Sequence, residues 1–333
     1  MNRKSFYALV LTLLLLVIIS TSNAQEFKAW DIDKMIHQDL KQSFMNKAQE
    51  IITPENISEV QKKFIIDPDT LYKDPAVEVH DEFIDSNKLH VRVYKPAGIN
   101  TKLPGLLLIH GGGHILGNPE INESLSIIIV KAAKCIIAAP DYRLAPEFPY
   151  PADLDDCMTA LKWLADNPEV NANKIAVAGS SAGGGLTAAV TLKARDEGGP
   201  AICFQMPLYP MLDYRSITPS SHQMNSDKRA WCRELNITAW KMYLADKKPD
   251  IYASPALAED LSNLPPAYIM VGTLDPFRDE TITYSQRLMQ SGVPVELHII
   301  PGGTHAFELI FTDTPISIKT REEYINALVK ALN

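Results

Sequence analysis

The hexapeptide Gly179-Ser180-Ser181-Ala182-Gly183-Gly184 limits what this chain can fold into more than any other stretch. An apolar run at 174–180 leads straight into it, and a stretch with helical periodicity, 182–195, leads out. The pattern is G-x-S-x-G in the strand–turn–helix setting that a nucleophile elbow requires. Such a turn holds its serine in a strained backbone conformation, and bulky neighbours would collide with the incoming strand or the outgoing helix. Ala182 opens the helix, so its backbone N–H is left free to face a negative charge. A Gly/Ser turn or a helix cap is the plainer reading of these six residues. The strand before and the helix after favour the elbow.

The rest of the chain supplies the sheet that such a turn needs. Short apolar runs recur at 106–110, 135–140, 202–209, 267–272 and 295–301, as expected for strands buried on both faces. Helical periodicity fills most of the intervals, at 121–134, 152–167, 182–195, 278–291 and 320–332. This alternation predicts an α/β fold with a parallel sheet covered by helices. Ahead of it, Val77, Val79 and Phe83, then Leu89, Val91 and Val93, alternate with polar residues, the pattern of half-buried antiparallel strands.

Two stretches stand outside this rhythm. In the mostly polar segment 25–75, Trp30, Ile32, Met35, Ile36, Leu40 and Phe44 recur at the spacing of one amphipathic helix. That is too little for a separate core, so a cap on a larger domain is expected. Residues 210–264 carry no convincing strand but hold Trp231, Trp240, Met242 and Tyr243. An insertion at the C-terminal edge of a strand is where active-site lids sit, though a plain surface excursion has the same signature. The expected organisation is a leader at 1–24, a cap segment at 25–75, and a main domain at 76–333 with 210–264 completing the cap.

The leader has its own logic. Arg3 and Lys4 precede an apolar run, 6–19, broken only by Thr12, and Ser22-Asn23-Ala24 forms a small-x-small site before Gln25. The run is short for a membrane span, so 1–24 reads as a secretory signal peptide, with an uncleaved anchor as the alternative. A secreted or periplasmic protein without a stable membrane span follows. The net charge of −8 argues against a nucleic-acid partner, which would need a basic stripe. Export permits disulfides among Cys135, Cys157, Cys203 and Cys232, but Cys135 and Cys203 lie in apolar runs and read better as small buried hydrophobes. No Cys/His spacing fits zinc, so no metal is expected. Asn56, Asn122 and Asn236 head glycosylation sequons.

A serine nucleophile needs a base, and the base needs a partner that fixes its tautomer. His305 follows Pro301-Gly302-Gly303-Thr304, beyond the last apolar run, at the edge where Ser181 would lie. His37, His80, His90, His222 and His298 are placed less well, His298 reading as a packed strand residue. Asp275 follows the run 267–272, and Pro276 stops that strand from continuing. Asp279 and Glu280 begin the next helix, where acids serve the helix dipole. Asp275 is therefore the expected acid. His110-Gly111-Gly112-Gly113 follows the run 106–110, and its glycines leave backbone N–H groups unshielded toward a developing oxyanion.

Five motifs in order, HGGG (110–113), DYRLAPE (141–147), GSSAGG (179–184), LDPFRDE (274–280) and PGGTHAF (301–307), resemble the hormone-sensitive-lipase-like branch of α/β-hydrolases, bacterial esterase family IV. The order Ser181, Asp275, His305 is that of α/β-hydrolases. The resemblance spans about 76–333. It implies a mostly parallel eight-stranded sheet with a helical cap, hydrolysis of small carboxylic esters and no cofactor. It also implies an oxyanion hole made by the N–H groups of Gly111, Gly112 and Ala182. Two positions depart from the family pattern: Ser180, where Asp or Thr often precedes the nucleophile, and His114, where an aromatic residue usually follows HGGG. His114 either touches substrate or fills space. Asp141, Arg143 and Glu147 read as an ion-pair network, and Asp156 as a helix-terminal acid. Rival functions are amide or peptide hydrolysis by the same triad, and a non-catalytic ligand-binding protein on this scaffold. Plant receptors of the latter kind lack the triad histidine, which is present here.

Overall fold

A computed structural model describes residues 27–48, 51–67, 70–86, 88–99 and 101–333. The leader at 1–24 lies outside the described residues. Eight strands form one sheet: β1 (Val77–Ile84), β2 (Leu89–Pro96), β3 (Leu103–Ile109), β4 (Ile136–Pro140), β5 (Val170–Ser180), β6 (Phe204–Leu208), β7 (Ala267–Leu274) and β8 (Val295–Thr304). Their spatial order is β1-β2-β4-β3-β5-β6-β7-β8. The β1/β2 and β2/β4 pairs are antiparallel and the others parallel. This is the mostly parallel α/β sheet expected from the alternation of runs.

The helices are α1 (Ile32–Met35), α2 (Gln38–Met45), α3 (Ile57–Lys62), α4 (Glu123–Ala133), α5 (Ala152–Asp166), α6 (Ala182–Glu197), α7 (Pro219–Gln223), α8 (Arg233–Leu244), α9 (Arg278–Gln290), α10 (Phe307–Ile310) and α11 (Pro315–Leu332). Successive strand residues face opposite sides, and the two cores show it. Leu107, Ile109 and Ala138 pack with Leu161 of α5 and Leu186 of α6. Leu106, Leu108 and Ile137 pack with Ile129 of α4 and Leu328 of α11. Burial on both sides is why β3 and β4 read as continuous apolar runs. Fully burying one such leucine contributes ~1.5–3 kcal/mol.

Three expectations needed correction. The helix foreseen over residues 30–44 is two pieces, because Ile36 is extended (ψ 142°) between α1 and α2. Most of its apolar positions still hold, since Ile32, Ile36, Leu40 and Phe44 pack on Met224 and Ala230 of the 210–264 excursion and on Leu274 and Phe307, whereas Met35 is exposed. β8 is not buried on both faces: it is an edge strand, half-exposed over residues 295–301. Phe83 points outward at 67 % exposure, stacked on His90. Among the described residues no helix is long and apolar enough to cross a membrane. All four cysteines are free thiols, three of them buried and Cys203 partly so. Burial pushes the Cys135 thiol up to about 12.

Candidate active site

The elbow forms at the end of β5. Ser181 adopts φ 57°, ψ −119° and serves as N-cap of α6. Side chains with a Cβ avoid positive φ, so the turn holds strain that its neighbours must support. Ser181 N donates to Leu208 O (3.0 Å), and Ser181 O accepts from Gly185 N and Met211 N. Gly183 is obligatory here, because a Cβ on it would stand 2.2 Å from Ile109 O and 2.4 Å from His110 O. The small residues of the motif therefore let the β3 end and the start of α6 come together.

β7 and β8 deliver the partners. His305 Nε2 lies 2.9 Å from Ser181 Oγ, and His305 Nδ1 lies 2.8 Å from Asp275 Oδ2. Asp275 Oδ1 accepts from Phe277 N (2.8 Å), which orients the carboxylate. Asp275 is fully buried, and Ser181 and His305 are each 6 % exposed. The imidazole is fenced by the edges of Phe277 and Tyr209, at 5.1 and 5.0 Å between ring centroids. Asp279 is elsewhere. Its carboxylate accepts from Ser220 N of α7 and pairs with Arg278, tying α9 to α7.

The oxyanion candidates also converge. None of the N–H groups of Gly111, Gly112 and Ala182 donates a hydrogen bond in the turns and loops of the described residues. Gly112 needs glycine, since it has φ 124° and a Cβ would sit 2.0 Å from Leu116 O. His110 Nδ1 donates to Gly111 O at 2.8 Å, and its ring stacks on Tyr142 at 4.0 Å. Burial pushes His110 down to about 4, so this ring is neutral and acts as a brace. His114 does not line the cavity. Its Nδ1 lies 2.7 Å from buried Asp153 Oδ2, and its ring stacks on Tyr243 at 3.8 Å. Of its two readings, space-filling is the observed one, and it ties the glycine loop to α5 and α8.

A cavity of about 430 Å³ opens over Ser181, with Gly111, Gly112, Asn122, Leu116, Trp231 and Ile310 among its walls. Of the three aromatics singled out in 210–264, only Trp231 lines it; Trp240 and Tyr243 are buried around His114. The charges of DYRLAPE do not form one network. Arg143 pairs with Asp156, Asp141 faces His90, and Glu147 is exposed with no ion pair among the described residues. Asp156 is thus an ion-pair partner rather than a free helix-terminal acid. Two of the sequon asparagines are in use as well, Asn56 donating to Ile51 O and Asn236 to Ser216 Oγ, and Asn122 and Asn236 are buried. Sequence reasoning missed Glu308, three residues past His305. It accepts from Tyr209 Oη at 2.7 Å, and burial pushes it up to about 7. A lone acid in a short apolar helix, α10, was the available signal. Among the described residues no group of three or more His, Cys, Asp or Glu side chains is placed to hold a metal.

A strained serine, a histidine and a buried aspartate in hydrogen-bonded line, beside unpaired backbone donors, define a serine-hydrolase type of site. Comparison with known proteins agrees with that class. An α/β-hydrolase-fold family model matches residues 106–309. The arylesterase of Saccharolobus solfataricus is 38 % identical over 247 residues, covering 71 % of this chain and 78 % of its own. Esterase LipI of Mycobacterium tuberculosis is 37 % identical over 235 residues, 67 % of this chain and 73 % of its own. The structure of a bacterial heroin esterase superposes with a TM-score of 0.83 at 31 % identity, over 91 % of this chain and all of that one. The chain belongs to the α/β-hydrolase fold family, in its hormone-sensitive-lipase-like branch.

Proposed function

We propose that this protein is an exported carboxylic ester hydrolase that turns over short- to medium-chain, small-molecule esters through an acyl-enzyme on Ser181. The observation that carries the reading is the unbroken line from Ser181 Oγ through His305 to Asp275 beneath an open cavity. Ser181 Oγ attacks the ester carbonyl carbon while His305 Nε2 takes its proton. The carbonyl electrons move onto oxygen, where the N–H groups of Gly111, Gly112 and Ala182 face the new charge. Collapse breaks the bond to the alcohol, and His305 returns the proton to the leaving oxygen. Water then repeats the sequence on the acyl-enzyme, releasing the acid and restoring Ser181. Asp275 keeps the imidazole in the tautomer whose Nε2 accepts, and stabilises the charged ring.

Esterase names among the relatives support an ester over an amide substrate. A cavity of about 430 Å³ supports acyl chains of about C2 to C8. The leader supports export, and a mature N-terminus at Gln25 is the expected sequencing result; a start at Met1 refutes it. A fluorophosphonate probe and 4-nitrophenyl esters from C2 to C16 test the chemistry. Ser181→Ala should lose labelling and at least about 10³-fold in kcat. Labelling that survives this substitution, or C16 turnover faster than C4, overturns the reading.

A further inference from the structure

The wall beside Ser181 holds a polar group with nothing to bind. Asn122 is the N-cap of α4, a place where an asparagine side chain ordinarily accepts from the N–H two or three residues on. Here it makes no cap bond. Its amide has no hydrogen-bond partner among the described residues, although Asn122 is only 6 % exposed. It lines the same cavity as Ser180 and Ser181. The Ser180 hydroxyl lies 3.2 Å from where a Cβ on Gly111 would stand, which puts it against the glycine loop. A carboxamide on a cavity wall that makes no bond to the protein is left free to pair with a polar group that arrives with the ligand.

The surroundings say what kind of partner. Glu123 follows Asn122 and is occupied by Arg92 and Tyr94. The amide itself carries no charge, and of the two lysines on the cavity wall, Lys47 and Lys228, Lys228 is paired with Glu234. A carboxamide donates and accepts, so it matches a hydroxyl or a carbonyl. We propose that the site takes esters bearing a neutral hydrogen-bonding group a few bonds from the scissile carbonyl, seated on Asn122 with Ser180 beside it. This inference rests on the ester-hydrolase reading above and names its substrate class.

The test uses matched pairs. One arm compares 4-nitrophenyl 3-hydroxybutanoate with 4-nitrophenyl butanoate, placing the hydroxyl on the acyl side. The other compares 3-hydroxybutyl acetate with butyl acetate, placing it on the alcohol side. The readout is the kcat/KM ratio within a pair, which cancels any general loss of activity. In one arm the wild type should favour the hydroxylated ester by about tenfold, the scale of one hydrogen bond. Asn122→Leu should bring that ratio to about one, and Asn122→Asp, which keeps an acceptor, should retain part of it. Wild-type ratios near one in both arms overturn the proposal whether or not the variants fold. So does a preference that survives Asn122→Leu, or faster turnover of the 4-nitrophenyl monoester of succinate than of the butanoate. If plain esters are not turned over at all, the ester-hydrolase reading fails instead.

Discussion

The molecule holds two buried histidine–aspartate pairs of nearly the same geometry. His305 Nδ1 lies 2.8 Å from Asp275, and His114 Nδ1 lies 2.7 Å from Asp153. Both rings are almost wholly enclosed. The difference is at the second nitrogen. His305 Nε2 meets Ser181 Oγ, and that ring borders the cavity. His114 Nε2 is buried without a partner among the described residues, and its ring is sandwiched against Tyr243. An aspartate orients an imidazole in either place. Chemistry needs, in addition, a nucleophile on the far nitrogen and a space that substrate can enter. Where those are lacking, the same pair braces the structure.

Breaking the carboxylates separates the two roles most sharply. Asp275→Asn keeps size but admits the wrong histidine tautomer, so kcat should fall by about 10²–10⁴ with KM little changed. Asp153→Asn and Asp279→Asn should each cost less than about tenfold in kcat, with circular dichroism confirming the fold. An inactive Asp153 variant beside an active Asp275 variant would invert the comparison. The next effect falls on stability. His114→Phe leaves Asp153 without its closest donor and puts a phenyl ring at φ 63°. A urea titration should show a loss of ~3 kcal/mol, while kcat stays within about tenfold of wild type.

The smallest effect concerns a third histidine, exposed enough to titrate. His90 lies between Asp141 (3.4 Å) and Asp81 (3.0 Å), and their hydrogen bonds raise it to about 9. Its folded pKa lies above the unfolded value near ~6.5, so its contribution is complete below that pH. It is lost as pH rises through about 9. The aspartates beside it are over two-fifths exposed, so solvent screening keeps the effect modest. Melting temperatures between pH 6 and 9.5 should decline more in the wild type than in His90→Gln. Parallel curves would show that the pair contributes nothing.

What could be read in advance, and what could not, divides along the range of the interaction. Ser181, Asp275 and His305 were legible because each follows directly on a strand, where backbone chemistry leaves a local mark: glycines in a turn, or Pro276 stopping β7. The break between α1 and α2 was not legible, because apolar spacing persists across Ile36 while the chain changes direction to follow its neighbours. The half-exposed face of β8 was hidden for a similar reason, since nothing within a run states whether another strand will cover it.

By itself, the sequence determined the α/β alternation, the elbow and the identity of the residues that meet there, because local sterics and periodicity suffice for these. Only the tertiary structure decided which partners the remaining side chains found. It gave His114 to Asp153, Arg143 to Asp156 and Trp231 to the cavity, and it left the Asn122 amide on the cavity wall without a cap bond. These contacts join residues between 13 and 39 positions apart where hydrogen bonds are made. No local pattern encodes such pairings, because they depend on how the sheet brings separate loops to one edge.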